Sequence, residues 1–326
     1  IKDRGVTAIV TGERGEGTIT RYGLEEYVAD CVIVLDHRVN EQVSTRRLRI
    51  VKYRGSLHGT NEYPFVIGQT GISVLPITSL ALEHTAPKER ISTGIKELDE
   101  MFGGQGYFRG STILVSGTAG AGKSSLAASF VNAACQRGEK CLYFTFEESP
   151  SQVMRNMSSI GLELVPSIKK GLLHFHAARP SLYGLEMHLV AIHELIREYE
   201  PEIVVLDPIT DFYPVGSTVE VKSALSRIID LLKSKEITAM LTSLTSTDQA
   251  ADNSVVGISS LIDTWINVRN LENNGEQHRG LLILKSRGMA HSNQIRSFQL
   301  TDHGIRIGIL DLAGRTNSRE MIYGSN

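Results

Sequence analysis

The chain has 326 residues, 41% hydrophobic and 21% charged, with 34 lysines and arginines against 36 aspartates and glutamates. That profile fits a globular protein of about two domains. No run of eighteen apolar residues occurs, so no membrane-spanning helix is expected, and a net charge of −2 argues against a life on nucleic acid.

Cys31, Cys135 and Cys141 are odd in number and show no CxxC spacing. They read as reduced thiols of a cytoplasmic protein, with neither a disulfide frame nor a zinc site. The opening "IKDRGVTAIV" carries no methionine and no signal-peptide pattern, so Ile1 is expected to be an internal edge.

In chain order, "RYGLEEYVADCVIVLDHR" from Arg21 runs into an apolar strand. A basic phrase follows, "KYRGSLH" at Lys52, and then "EYPFVIGQTGISV". The stretch "PITSLALEHTAPKERISTG" has two prolines and no strong period, and reads as a linker.

"STILVSGTAGAGKSSLAASFVNAACQRG" follows, with Gly117, Gly122, Lys123 and Ser124 at G-x-x-x-x-G-K-[ST] spacing. A β-branched strand, Thr112 to Ser116, precedes this loop and an apolar helix, Leu126 to Cys135, follows it. In such a loop the backbone N–H groups turn inward around phosphates and the lysine reaches the outer ones. The loop from Gly117 through Thr118, Ala119, Gly120, Ala121 and Gly122 to Lys123, Ser124 and Ser125 is therefore expected to hold ATP.

"KCLYFTFEESPSQ" is a further strand, ending at Glu147 and Glu148. Ser149, Pro150 and Gln152 then read as N-cap, N1 and N3 of a helix. A carboxylate pair at a strand end beside a phosphate loop is where a base for water or a hydroxyl sits.

"LLHFHAARP" places His174 and His176 at strand period, and with no third ligand they read as a plain strand. Helices are expected over 186–199 and over 217–234, the latter with a capping box at Ser217 and Glu220. Between them, "EIVVLDPIT" is a buried strand ending in Asp207, the expected partner of Mg2+ together with Ser124 and Glu148. "ITAMLTS" is another strand, and from residue 262 the chain is strand after strand. The order predicts an α/β fold: a mainly parallel sheet flanked by helices, with a β-rich C-terminal part.

At Lys285 the basic phrase returns as "KSRGMAH". Upstream lies "VVGISSLIDTWINVRN" and downstream "IRSFQLTDHGIRI". The lysines are 233 apart (285 minus 52), as are Asp30 and Asp263, whereas Gly23 and Gly257 are 234 apart. A match of this length in one order is a duplicated domain. Residues 1–78 read as the end of a first copy, 79–92 as linker, 93–312 as a complete second copy and 313–326 as a tail.

These segments resemble the KaiC family, the circadian-clock-type ATPases and autokinases of the RecA-like P-loop superfamily. The carriers are "ISTGIKELDEMFGGQGYFRGSTILVSGTAGAGKSS", "FTFEES", "VVLDPIT" and the twice-used K-x-R-G-x-x-H. The resemblance implies ATP and Mg2+ as cofactors and a homohexamer with ATP between adjacent subunits. It implies KaiB-like or other signalling proteins as partners, with no nucleic acid and no membrane.

It further implies that Lys285, Ser286, Arg287 and His291 act on ATP held by a neighbour, with Asp302 also at the nucleotide. Lys52, Arg54 and His58 would do the same for a first ring. Lys123, Glu147, Glu148, Lys285 and Arg287 would carry the catalysis. Ser259 and Ser260 stand where the family carries an adjacent serine–threonine pair that is autophosphorylated. Aligned on the glycines, their counterparts in the first copy are Glu25 and Glu26. A RecA- or RadA-like DNA-dependent ATPase and a nucleotide-gated signalling scaffold are the alternatives.

Overall fold

A computed structural model describes residues 4–13, 25–40, 43–68, 71–74, 86–182, 184–245, 258–273 and 276–310. Gly23, Gly257 and the tail from 313 lie outside the described residues. The chain divides into two compact units, Ile1–Ser79 and Leu80–Asn326.

The first unit holds one helical turn, α1 (Glu25–Val28), and four strands: β1 (Cys31–Asn40), β2 (Val43–Tyr53), β3 (Tyr63–Gly68) and β4 (Gly71–Val74). They form one antiparallel sheet in the order β1-β2-β3-β4. Among the described residues, its buried ones are Tyr63, Pro64, Phe65 and Val66.

The second unit begins with β5 (Arg90–Ile91), α2 (Lys96–Met101) and β6 (Tyr107–Phe108). Arg90 and Ile91 fall in the segment expected as linker, yet they belong to this unit. Ile91 is buried, and the Arg90 guanidinium donates to the carbonyls of Phe102 and Gly106. Then come β7 (Thr112–Gly117), α3 (Lys123–Gln136), β8 (Cys141–Thr145), α4 (Pro150–Ser158), α5 (Val165–Lys169), β9 (Leu173–Ala177) and α6 (Leu185–Tyr199). The unit closes with β10 (Ile203–Asp207), α7 (Thr218–Ser234), β11 (Thr238–Leu244), β12 (Thr264–Asn273), β13 (Glu276–Ser286), β14 (Arg296–Thr301) and β15 (Gly304–Ile309).

Nine of these strands make one sheet, in the order β15-β14-β13-β12-β7-β11-β10-β8-β9. From β9 to β12 every pairing is parallel, and from β12 to β15 every pairing is antiparallel. The buried middle explains the apolar runs: β7, β8 and β10 are buried along their whole length. Two helices start where the sequence marks them. Ser149 and Gln152 of α4, and Ser217 and Glu220 of α7, form complete capping boxes. The described parallel strands end near one edge: Asp207 pairs with Thr145, and β7, with β11 between it and β10, carries Gly117 two residues beyond that level.

The duplication is present in three dimensions at a constant offset. Cys31 faces Tyr53 and Val32 faces Lys52; 233 residues on, Thr264 faces Ser286 and Trp265 faces Lys285. Even the irregularity is repeated, because a β-bulge falls between Val32 and Ile33 and again between Trp265 and Ile266. The cover differs. Ile33 and Leu35 are 54% and 53% exposed, whereas their counterparts Ile266 and Val268 are fully buried, since β12 pairs with β7. Among the described residues, β1 pairs with β2 alone.

Candidate nucleotide-binding site

β7 runs into the glycine-rich loop, and two glycines there have specific reasons. A Cβ on Gly117 would lie 2.0 Å from the carbonyl oxygen of Val268 on β12. Gly122 has φ of 103°, and a Cβ there would lie 2.6 Å from the ring of Phe298 on β14. The loop is thus wedged between the helix it opens and the antiparallel half of the sheet. Gly122 is the N-cap of α3 and no side chain caps that helix, so its first N–H groups are left for an anion. Ser124, half-buried, sits in the same turn.

Lys123 is buried, and its ammonium donates to the carbonyls of Gly117 at 3.0 Å and Thr118 at 2.8 Å. Burial pulls its pKa down, and the negative charges of Asp207 and Glu147 oppose that pull. Asp207, at the end of β10, is also buried. The Tyr143 hydroxyl donates to its Oδ2 at 2.6 Å, and the Thr242 hydroxyl donates to its Oδ1. Burial first, and then the Asp207 charge, drive the Tyr143 pKa far up, so the phenol remains a donor.

The two glutamates after β8 have different surroundings. Glu147 is exposed, near enough to Lys123 for their charges to interact. Glu148 is half-buried and its Oε1 accepts from Asn156 on α4 at 3.1 Å. Asp211 lies beyond β10, near enough to Glu147 and Asp207 to feel their charges. Burial, and after it the charges of Glu147 and Asp207, push its pKa to about 6.

Strand β12 supplies residues that motif reading passed over. Trp265 Nε1 donates to Ser116 Oγ at 2.8 Å, and Asn267 Nδ2 donates to the same oxygen at 3.1 Å. Asn270 reaches Thr118, and Arg279 of β13 donates to the carbonyl of Gly120 at 3.3 Å. The available signal was two asparagines set among the apolar residues of "TWINVRN".

The repeated basic phrases hold their own chains. Lys285 Nζ donates to the carbonyls of Ser259 at 2.7 Å and Ile262 at 2.8 Å, and Arg287 donates to the carbonyl of Ser260 at 2.6 Å. In the first unit Lys52 Nζ donates to the carbonyl of Glu26 at 2.8 Å, and Arg54 to that of Tyr27 at 2.9 Å. The backbone N–H groups of Arg54 and Arg287 donate to Asp30 and Asp263 respectively.

This corrects the alignment of the acceptor positions. Glu26, not Glu25, is the counterpart of Ser259, and Tyr27, not Glu26, that of Ser260. The slip between copies lies before the serines because the cation-to-carbonyl bonds, not the glycines, hold the frame. Ser259 is half-buried and Ser260 exposed, in a turn following directly on Ile258.

Compared with models of protein families, the chain matches the KaiC ATPase over residues 1–79 and 91–311. The chain belongs to the KaiC family. It is 55% identical over 307 residues to the circadian clock protein KaiC2 of Synechocystis sp., covering 94% of this chain and 54% of that protein. It is 36% identical to the circadian clock protein KaiC3 of the same organism, over 94% of this chain and 62% of that protein. It is likewise 36% identical to the circadian clock oscillator protein KaiC of Parathermosynechococcus lividus, over 94% and 57%. The chain therefore spans a little over half the length of these relatives. Its RecA-like P-loop fold is the one expected.

Other expected positions of this KaiC-family chain lie apart from the loop's carbonyls. Asp302 is 81% exposed in the β14–β15 turn, 3.7 Å from His303. His291 contacts the carbonyl of Met289, and the Ser286 hydroxyl meets that of Thr264. His58 is half-buried. His174 and His176 do lie on one strand, where His174 packs tilted against Tyr199 and His176 meets Phe144 edge-on. No group of three or more His, Cys, Asp or Glu side chains able to hold a metal occurs among the described residues. No helix there is long and apolar enough to cross a membrane.

The site nonetheless fits Mg2+ as a nucleotide brings it. The donors near the loop, the Ser124 hydroxyl and the Asp207 carboxylate, are all hard oxygens. Both Asp207 oxygens already accept a hydrogen bond, which leaves each a lone pair for the ion's waters.

Proposed function

We propose that the second unit binds Mg·ATP, hydrolyses it and also transfers its terminal phosphoryl group to Ser259 or Ser260. In this reading six copies form a ring with ATP between neighbours. The assembly works in the cytoplasm in circadian-type timing or signalling with KaiB-like or other protein partners. The names of the relatives, circadian clock proteins all, support the last part.

One observation carries the chemistry. A phosphate-loop lysine, a clamped aspartate and an exposed glutamate meet at the C-terminal ends of β7, β10 and β8. Lys123 would leave its own loop carbonyls for the outer phosphates. Ser124 and Asp207, with Glu148 nearby, would hold Mg2+, whose charge would offset that of the phosphates. Glu147 would take the proton of the attacking water or serine hydroxyl. The new bond forms between that oxygen and the γ-phosphorus as the bond to the β-phosphate oxygen breaks and ADP leaves. Arg287, exposed and held by one side-chain hydrogen bond, is free enough to meet developing charge on a neighbour's nucleotide.

The test is incubation with Mg·ATP, mapping of phosphosites and measurement of ADP release, beside Glu147→Gln. Modification at Ser259 or Ser260 that fails in the variant supports the reading. If neither serine is modified in the parent, or if the variant modifies them fully, the transfer step is wrong and ATP hydrolysis alone remains.

A further inference from the structure

We propose that Asn156 is a positioning residue for Glu148: its amide holds one carboxylate oxygen against helix α4 and leaves the other to the nucleotide site. The catalytic half of this proposal rests on the function proposed above, whereas the hold itself does not.

Asparagine is a poor choice inside a helix. It forms helix less readily than alanine, because its amide competes for nearby backbone groups. Asn156 nevertheless stands inside α4, past its midpoint. Its neighbours Val153 and Met157 are buried and anchor the helix to the core. Asn156 itself is half-buried and bonds through both ends of its amide. Nδ2 donates to Glu148 Oε1 at 3.1 Å, and Oδ1 accepts from the Arg155 guanidinium at 3.2 Å. The opposite amide orientation would set oxygen against carboxylate and NH2 against guanidinium, so only this one pairs both groups. Arg155 also polarises the amide, which strengthens its N–H as a donor to Glu148.

The main chain of Glu148 is held as well. The Thr145 hydroxyl donates to its carbonyl at 2.6 Å, and the next residue, Ser149, is fixed by the capping box. With the carbonyl and Oε1 both engaged, one carboxylate oxygen remains. Among the described residues, no hydrogen bond is made to Oε2. Glu147 differs: it is exposed, and its charge, with that of Asp207, is the one Lys123 feels. The neighbouring carboxylates are thus divided. Glu147 is left to move as a base, and Glu148 is kept in one place. A carboxylate already in place needs no reorganisation when a nucleotide arrives with its ion.

The test uses the full chain with Asn156→Ala, Asn156→Asp and Glu148→Ala, and with each Asn156 variant combined with Glu148→Ala. ADP release, the dissociation constant for Mg·ATP and the melting temperature without nucleotide are read for each. Asn156→Ala should slow ADP release at saturating Mg·ATP by about tenfold, with the dissociation constant within about threefold of the parent. Asn156→Asp should slow it further, because a second carboxylate then faces Glu148. With Glu148→Ala already present, neither change should cost more than about twofold, since nothing remains to be positioned. A merely structural role would give the same loss in both backgrounds and would favour Asp, which keeps the bond from Arg155. Losses that add, or an Asp variant as active as the parent, overturn the proposal. The melts read the hold directly: Asn156→Asp should lower the melting temperature only where Glu148 is present, and an equal drop in both backgrounds overturns it. If the parent releases no ADP while this melting pattern appears, the nucleotide reading fails and the hold on Glu148 stands.

Discussion

The ammonium of Lys123 lies 2.8 Å from the carbonyl oxygen of Thr118, inside the loop that Lys123 itself closes. The empty loop therefore satisfies its own cation, and a nucleotide must replace carbonyls with phosphates. Lys123→Met should weaken Mg·ATP binding by about 100-fold or more, the value of a lost charge-assisted contact of roughly 3 kcal/mol. Its melting temperature without nucleotide should not fall, because a buried cation is replaced by an apolar chain of similar length. Calorimetric titration and thermal melts check the two halves separately.

Asp207 depends on two hydroxyls. Tyr143→Phe leaves a buried carboxylate with one donor fewer, and should cost roughly 1.5–3 kcal/mol of stability, the worth of a hydrogen bond to a charged group. Thr242→Val should cost a similar amount. The double variant should depart from additivity, because both donors serve one group. Denaturant unfolding of the three variants supplies the cycle, and simple additivity would show that the two hydroxyls act independently.

Asp211 predicts a pH dependence. In the folded chain it keeps its proton up to about pH 6, whereas its ordinary value is 3.8. Between those values the folded state binds more protons than the unfolded one, so this residue's contribution to stability falls as pH rises from about 4 to about 6, and stays low above that. Asp211→Asn removes the loss. Its stability relative to the parent should grow across that window and then level off. Melts collected from pH about 4 to about 7 would show the trend, and a difference independent of pH would contradict it.

The capping box of α7 is a local test. Ser217 Oγ accepts from the backbone N–H of Glu220, and the Glu220 carboxylate accepts from the Ser217 backbone N–H at 3.0 Å. Ser217→Ala should cost about 1 kcal/mol, and Ser217→Asp much less. Chemical denaturation of the two variants distinguishes loss of the cap from a general disturbance of the surface.

Much of this was legible before any coordinates. The strand, loop and helix around Lys123 carry a local spacing, and local spacing survives folding unchanged. The caps at Ser149 and Ser217 were legible for the same reason, since their bonds span three residues. Contacts between distant segments were not. Nothing adjacent to Asp207 in the chain points to Tyr143 or Thr242, which only the parallel pairing of β10 with β8 and β11 brings to it. The slip between the copies was misplaced by one residue because a glycine match looks stronger on paper than a carbonyl that accepts from a distant lysine. Arg90 and Ile91 were read as linker because two prolines upstream hide a two-residue strand that only β6 completes.

Trp265 is the only tryptophan in the chain, and its indole N–H donates to Ser116, the residue before the first loop glycine. Its twin in the first unit, at the same place in the hairpin, is Val32. Ultraviolet emission excited at the indole band thus comes from the second unit alone, from a fluorophore hydrogen-bonded to the strand that delivers the phosphate loop. The molecule carries its own optical reporter: a nucleotide titration can be followed in unlabelled protein, and the first unit stays dark throughout.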